Sequence, residues 1–386
     1  MANSILGAPP EGARLFVLDT PLDLVAGTRL SHVEVAYETF GRLSEDRSNA
    51  VLVCHALSGD SHVTSGATDR PGWWEPMVGP GKAIDTDRLF VICSNVLGGC
   101  SGTTGPGSGN PETGSAYGSA FPLVTIEDMV EVQARLMDHL GVPRLAAVVG
   151  GSMGGMQALA WAKAHPDRVT AVIADATTAR SGAQSIAFNE VGRRAILDDP
   201  AFAGGDYYER SNQPDAGLAI ARMVGHITYL SSESMREKFG RRLRDADDYA
   251  YDFVREFEVE TYLAHQGRRF TERFDANTYL LMTKAMDYFD LRGDSDTLAE
   301  AVVGTPKRWL VTSFTSDWLF TTEQARELVT ALLATDKDVT FAELESDYGH
   351  DAFLLEVDQQ TALIRPFLAN AVRACASALT REKVPS

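Results

Sequence analysis

The chain has 386 residues, 44% of them hydrophobic and 23% charged, with a formal net charge of −18. That balance belongs to a globular protein large enough for a substantial core and a second subdomain, and the acidic excess excludes non-specific attachment to nucleic acid or to an anionic membrane, both of which attract cationic surfaces. Four cysteines, Cys54, Cys93, Cys100 and Cys375, form no CxxC pair and the histidines lack zinc-site spacing, so neither a disulfide framework nor a metal is expected and a cytoplasmic address is.

The N-terminal stretch "MANSILGAPPEGARL" has no basic segment followed by an apolar core. No apolar run approaches the roughly 20 residues that cross a bilayer, so neither a signal peptide nor a membrane span is expected. Strand-like runs then follow one another: "HVEVAYETF", "AVLVCHA", "RLFVICSN", "RLAAVVGG" and "VTAVIAD". Helical stretches such as "IEDMVEVQARLMDHLG" lie between the later ones, the βαβ alternation of a parallel sheet with helices on both faces. Thr125 or Asp128 is placed to cap that helix and Gly141 to end it. The segment "GGCSGTTGPGSGNPETGSAYG", residues 98–118, has eight glycines but no Lys-Ser/Thr ending. It is a poor phosphate-binding loop and reads either as a long surface loop or as one packed near an active site.

Within "AAVVGGSMGGMQALAWAKAHP", residues 146–166, a buried strand runs into two glycines, a lone Ser152, two more glycines and a helix. Gly150-Gly151-Ser152-Met153-Gly154 is a G-x-S-x-G sequence, whose glycines let a sharp strand-to-helix turn expose the serine hydroxyl. The following helix then aims its N-terminus at a reacting carbonyl, and the N–H of Met153 becomes one oxyanion donor. The loop "LVCHALSGDSH" is placed to supply the second, from the N–H of Leu57. His55 and His62 in that loop read as packing or hydrogen-bonding residues.

From about 179 to 296 the sequence turns charged and helix-favouring, as in "IAFNEVGRRAILDD" and "ANTYLLMTKAMDYFDL". Strand-like "RWLVTSF" and "VTFAELES" follow, then a helix from about Asp358 to Thr380. The expected organisation is an α/β core over residues 1–178 and 297–386, interrupted by a helical cap over 179–296. A serine nucleophile needs a histidine base held by a carboxylate, in the chain order Ser, Asp or Glu, His. His226 and His265 fall in cap sequence and read as structural. His350, in "ESDYGHDAF", follows the last strand on a loop and is placed as the base. Asp317, in "LVTSFTSDWLF", follows the next-to-last strand and leads as the acid, with Asp175 at the end of "VTAVIAD" the competitor.

The strings "LVCHALSGDSH", "SNVLGGCSGTTGP", "GGSMGGMQAL", "ARMVGHITYL", "RFDANTYL", "SFTSDWLF" and "YGHDAFLLE", spread over residues 15–370, together resemble the homoserine O-acyltransferase family of the α/β-hydrolase superfamily. The resemblance implies an α/β-hydrolase fold with a mostly parallel sheet and an inserted helical cap. It also implies transfer of an acyl group from acyl-CoA, a co-substrate rather than a bound cofactor, through an acyl-serine to L-homoserine, in methionine synthesis. Carried over, Ser152, Asp317 and His350 are the triad, Arg222 and Asp351 bind the amino-acid acceptor, and Tyr229 helps them. A guanidinium for the acceptor's carboxylate and a carboxylate for its ammonium suit that role. Succinyl users of the family carry an arginine two residues after the acid; Leu319 stands there, which favours acetyl-CoA. A homodimer through the cap is a further implication. The alternatives are succinyl transfer, serine as acceptor, and plain ester hydrolysis.

Overall fold

The computed structural model describes residues 7–244 and 248–382, so the first six residues of the stretch read above for a signal peptide lie outside the described residues. Eight strands form one sheet: β1 (Arg14–Val17), β2 (Glu34–Phe40), β3 (Ala50–Cys54), β4 (Phe90–Ser94), β5 (Ala147–Gly151), β6 (Ala171–Asp175), β7 (Arg308–Phe314) and β8 (Asp338–Leu344). Their order is β1-β2-β4-β3-β5-β6-β7-β8. The β1/β2 and β2/β4 pairs are antiparallel and all the others parallel. Every strand-like run read from the sequence is one of these strands. β1 carries no strand signal in the sequence, because only Phe16 of its four residues is buried and the apolar pattern is too short.

The sheet is apolar on both faces because both are covered. Leu52, Ile92, Val148, Val172 and Val311 point to one side, where they pack with α1 (Ile126–His139), α2 (Met153–Ala164), α8 (Leu298–Ala301) and α9 (Thr322–Ala334). Their neighbours Val51, Val53, Val91, Val149, Ile173 and Leu310 point to the other. There they pack with Ile364, Leu368, Ala371, Cys375 and Leu379 of α11 (Val357–Glu382), which follows the short α10 (Ala352–Leu355). Thr125 caps α1 in a capping box with Asp128, and Gly141 follows it with φ +66°.

Between β6 and β7 lie α3 (Ala183–Leu197), α4 (Asp215–Tyr229), α5 (Ser232–Lys238), α6 (Glu258–Thr271) and α7 (Ala276–Tyr288). Of these, α3, α4, α6 and α7 contribute to a separate core that includes Ile196, Leu218, Ala221, Phe270, Phe274 and Tyr279. A buried ion pair, Arg193 to Asp287 at 2.7 Å, ties α3 to α7. The glycine-rich segment 98–118 divides in two. Its first half is largely buried, with the Gly98 carbonyl accepting the Thr278 hydroxyl at 3.2 Å, and its second half is mostly exposed. No described helix is long and apolar enough to cross a membrane.

Candidate active site

Ser152 sits between β5 and α2 at φ +58° and ψ −126°, a conformation that costs an L-residue about 1–3 kcal/mol and persists only when its surroundings enforce it. They do so through close packing. A Cβ on Gly150 would lie 2.1 Å from the Gly154 carbonyl oxygen, one on Gly154 2.1 Å from that of Cys54, and one on Gly151 2.5 Å from the Phe353 ring. The Ser152 N–H donates to the Asp175 carbonyl at 3.0 Å, and the Thr177 hydroxyl donates to the Ser152 carbonyl at 2.8 Å. The backbone is thus held on both sides of the hydroxyl.

His350 Nε2 is 2.8 Å from Ser152 Oγ, and its Nδ1 is 2.7 Å from Asp317 Oδ2. The other carboxylate oxygen of Asp317 accepts the N–H groups of Leu319 and Phe320, each at 3.0 Å. Asp317 therefore faces the imidazole in one orientation, which fixes Nδ1 as the protonated nitrogen and leaves Nε2 to accept from the serine. Burial works against a charged His350, but the Asp317 carboxylate outweighs it and holds the histidine's pKa above its ordinary value. Phe320, Phe353 and Tyr229 surround the ring at centroid distances of 5.3, 5.5 and 6.0 Å.

The competitor Asp175 makes no hydrogen bond to His350 or Ser152 through its side chain. Its Oδ1 accepts the Thr312 hydroxyl at 2.5 Å, its Oδ2 has no hydrogen-bond partner, and burial pushes its pKa up to about 7.

Met153 begins α2, so its N–H has no intrahelical acceptor and is left free for an oxyanion beside Ser152. Leu57 shares with Ser152 a narrow cavity under the cap with about 490 Å³ of empty space, lined also by Tyr229, Tyr279, Leu319 and Phe320. The loop carrying Leu57 is pinned by two glutamines that the sequence did not single out and by His55, which it places as a hydrogen-bonding residue. Gln157, on the first turns of α2, donates to the His55 carbonyl at 3.1 Å and accepts from Gln133 at 2.8 Å, while Gln133 accepts from Trp161 at 2.7 Å. His55 Nδ1 donates to the Ala56 carbonyl and its Nε2 accepts the Val96 N–H at 3.1 Å. A lone glutamine in a helix gives no sequence signal of this kind, because its partners are far away in the chain.

The remaining predicted residues converge from other elements. Arg222, on α4, has its guanidinium carbon 5.6 Å from the Tyr229 ring centroid and 4.6 Å from that of Phe270. Asp351 lies in the turn that carries His350 and makes no capping hydrogen bond to the helix after it. Burial raises its pKa, against the opposing charges of His350 and Arg222. Tyr229 is raised by burial as well. Of the two cap histidines, His226 Nδ1 is 3.0 Å from the Tyr262 hydroxyl, and burial with the nearby Arg222 charge brings its pKa down to about 3. His265 is exposed on α6. The acid loop is itself tied to the cap, where Ser185 donates to the Leu319 carbonyl at 3.1 Å and Trp318 to that of Leu230 at 3.0 Å.

A serine on a strand–turn–helix elbow, a histidine after β8 and an aspartate after β7 define a serine-nucleophile enzyme of the α/β-hydrolase class. Residues 49–357 match the alpha/beta hydrolase fold family. A homoserine O-acetyltransferase of Mesorhizobium japonicum is 52% identical over 375 residues, 96% of each chain. One of Methanosphaerula palustris is 57% identical over 355 residues, 92% of this chain and 72% of that one. Among solved structures, homoserine O-acetyltransferase from Bacillus anthracis superposes with a TM-score of 0.86 at 29% identity, covering 92% of this chain and 97% of the other. Esterase E22 does so with 0.84 at 30%, covering 92% and 99%. The chain belongs to the homoserine O-acetyltransferase family of the α/β-hydrolase fold.

Proposed function

We propose that this protein transfers the acetyl group of acetyl-CoA to the side-chain hydroxyl of L-homoserine by way of an acetyl-serine. The observation that carries the reading is the continuous hydrogen-bonded chain Ser152–His350–Asp317 with a cation, Arg222, and a carboxylate, Asp351, beside it, neither making an ion pair within 4 Å among the described residues. Nucleophile and base serve any ester chemistry. The two opposite charges suit an acceptor that is itself an amino acid.

In the first half-reaction His350 takes the Ser152 proton, Oγ attacks the thioester carbon, and the N–H groups of Leu57 and Met153 stabilise the oxyanion. The carbon–sulfur bond breaks and His350 returns the proton to the departing thiol. In the second, Arg222 binds the homoserine carboxylate and Asp351 its ammonium, with the Tyr229 ring packed against them. His350 then deprotonates the hydroxyl, which attacks the acetyl-serine and regenerates Ser152. Double-reciprocal plots in the two substrates are parallel on this scheme.

Leu319 lines the serine cavity and offers no counter-charge to a second carboxylate, which supports acetyl over succinyl as the acyl group. CoA enters as a substrate, and no metal or prosthetic group takes part. The cap covers the serine and restricts water, as a transferase requires. Ile186, Val191 and Leu197 of α3 and Ile220 and Ile227 of α4 are exposed apolar side chains, which supports pairing of two chains through the cap. Biosynthetic transfer from CoA fits a cytoplasmic enzyme. The likeness to esterase E22 favours hydrolysis as a second reading. CoA release from acetyl-CoA and from succinyl-CoA, each with homoserine, with serine and with no acceptor, separates the readings. Continuous release requiring acetyl-CoA and homoserine together is expected, with no more than one equivalent of CoA per enzyme released when the acceptor is absent; sustained turnover without acceptor would make the protein a hydrolase.

A further inference from the structure

Outside the serine cavity, on the far side of Ala56, Leu57 and Ser58, lies a second and wider cleft with about 830 Å³ of empty space. Its wall carries three arginines from three separate elements: Arg70 from the loop after β3, Arg222 from α4 and Arg273 from the turn between α6 and α7. Among the described residues none of the three makes an ion pair within 4 Å, and Asp60 is the one acidic side chain in the cleft's lining. In a chain with net charge −18, three guanidinium groups converging on one cleft with a single carboxylate is a local reversal of sign. Such a concentration of unpaired cations is costly without an anion to meet it.

The cluster is built rather than incidental. The Arg70 backbone is fixed by His62, whose Nε2 donates to the Arg70 carbonyl at 2.8 Å and whose Nδ1 donates to the buried Glu38 at 3.0 Å. Arg273 is held by a hydrogen bond to the Ser58 carbonyl at 2.9 Å and by the Phe270 ring, 5.4 Å from its guanidinium carbon, the same ring that Arg222 lies over. Trp73 closes the wall, with Nε1 donating to the Asp60 carbonyl at 3.0 Å.

Arg222 also adjoins the serine cavity, its guanidinium lying against the Tyr229 ring that lines it. Arg70 and Arg273 line the outer cleft without lining that cavity. An acyl-CoA presents the same polarity: its thioester is neutral, and its phosphates lie at the other end of the pantetheine arm. We propose that Arg70 and Arg273 form the site for the phosphates of the acyl donor's nucleotide, leaving Arg222 to the acceptor's carboxylate. The inference rests on acetyl-CoA being the donor. It gives the donor a direction of entry, nucleotide outside and thioester inward past Ser58.

The test compares acetyl-CoA with acetyl-pantetheine, which lacks the nucleotide, in wild type, Arg70→Met and Arg70→Lys at saturating homoserine. Arg70 is chosen because Arg273 also tethers Ser58. Arg70→Met is expected to raise KM for acetyl-CoA about tenfold, the loss of one charge-assisted phosphate contact, and to leave the constants for acetyl-pantetheine unchanged. Arg70→Lys recovers part of the loss. Added salt raises the wild-type KM for acetyl-CoA more than that for acetyl-pantetheine. An equal change with both donors would overturn the site, because the effect would then come from the loop and not from the phosphates. So would competitive inhibition of wild type by CoA no tighter than by pantetheine, a measurement that needs no variant to fold. Wild type that transfers from neither donor, yet binds CoA more tightly than pantetheine by tryptophan fluorescence, would refute the donor reading and leave the anion site standing.

Discussion

Asp317→Asn isolates the part of the catalytic chain whose geometry is most tightly fixed. One carboxylate oxygen of Asp317 accepts two backbone N–H groups at 3.0 Å, from Leu319 and Phe320, and the other accepts from His350 Nδ1 at 2.7 Å. An asparagine is isosteric, but its amide nitrogen cannot face two N–H donors. Its oxygen therefore stays with the backbone and its NH2 turns toward His350. The imidazole must then accept at Nδ1 and carry its proton on Nε2, pointing at Ser152, where it no longer serves as a base. Holding the base in the wrong tautomer is worth about 10⁴-fold in kcat, about 5 kcal/mol of transition-state stabilisation. The pH profile carries a second signature. Asp317 holds the His350 pKa above its ordinary value, and the base works only when neutral. The acidic limb of kcat/KM in wild type thus lies above an ordinary histidine titration and moves to lower pH in the variant. Initial rates of CoA release from pH 5 to 9, with unfolding curves as a control, measure both. A loss below about tenfold together with an unmoved limb would refute the argument.

Other expectations follow from the same geometry. Ser152→Ala should fold normally and release no CoA above background, read by stopped-flow and circular dichroism. Arg222→Met should raise KM for homoserine by about 10- to 150-fold, the worth of a hydrogen bond between charged groups, while the acetyl-CoA burst without acceptor keeps its amplitude. Gly154→Ala puts a Cβ 2.1 Å from the Cys54 carbonyl oxygen; it should cost about 1–3 kcal/mol and lower the melting temperature. Asp175→Asn tests a linkage. Burial raises the folded pKa of Asp175 to about 7, so the folded state keeps a proton that the unfolded chain loses near its ordinary value, and wild-type stability falls as pH rises across that window. The Asn variant should gain on wild type between about pH 4 and pH 8 in thermal unfolding; a difference independent of pH would contradict this.

Much of this was legible in the sequence because it is written in local patterns. Runs such as "AVLVC" and "RWLVTSF" are buried on both faces and announce central strands, whereas the four residues of β1 bury one side chain and announce nothing. The glycines flanking Ser152 mark an elbow because only their lack of a Cβ allows it. His350 and Asp317 were findable from chain order relative to the last two strands. The supports behind them were not. Gln157 reaches His55 and Gln133 across more than 20 residues in each case, and the Arg193–Asp287 pair joins two cap helices whose packing no periodicity specifies. Arg70 and Arg273 look like solvated charges in the linear chain. Only the fold brings them, with Arg222, to one cleft in an otherwise acidic molecule.

Whether acetyl passes through Ser152 is read by mixing enzyme with acetyl-CoA without homoserine, quenching within milliseconds, digesting, and weighing the peptide containing Ser152. One added acetyl on that serine is expected, absent in Ser152→Ala and His350→Ala, and discharged as O-acetylhomoserine when homoserine is added before the quench. Steady turnover of acetyl-CoA and homoserine with no acetyl ever found on Ser152 would contradict this route.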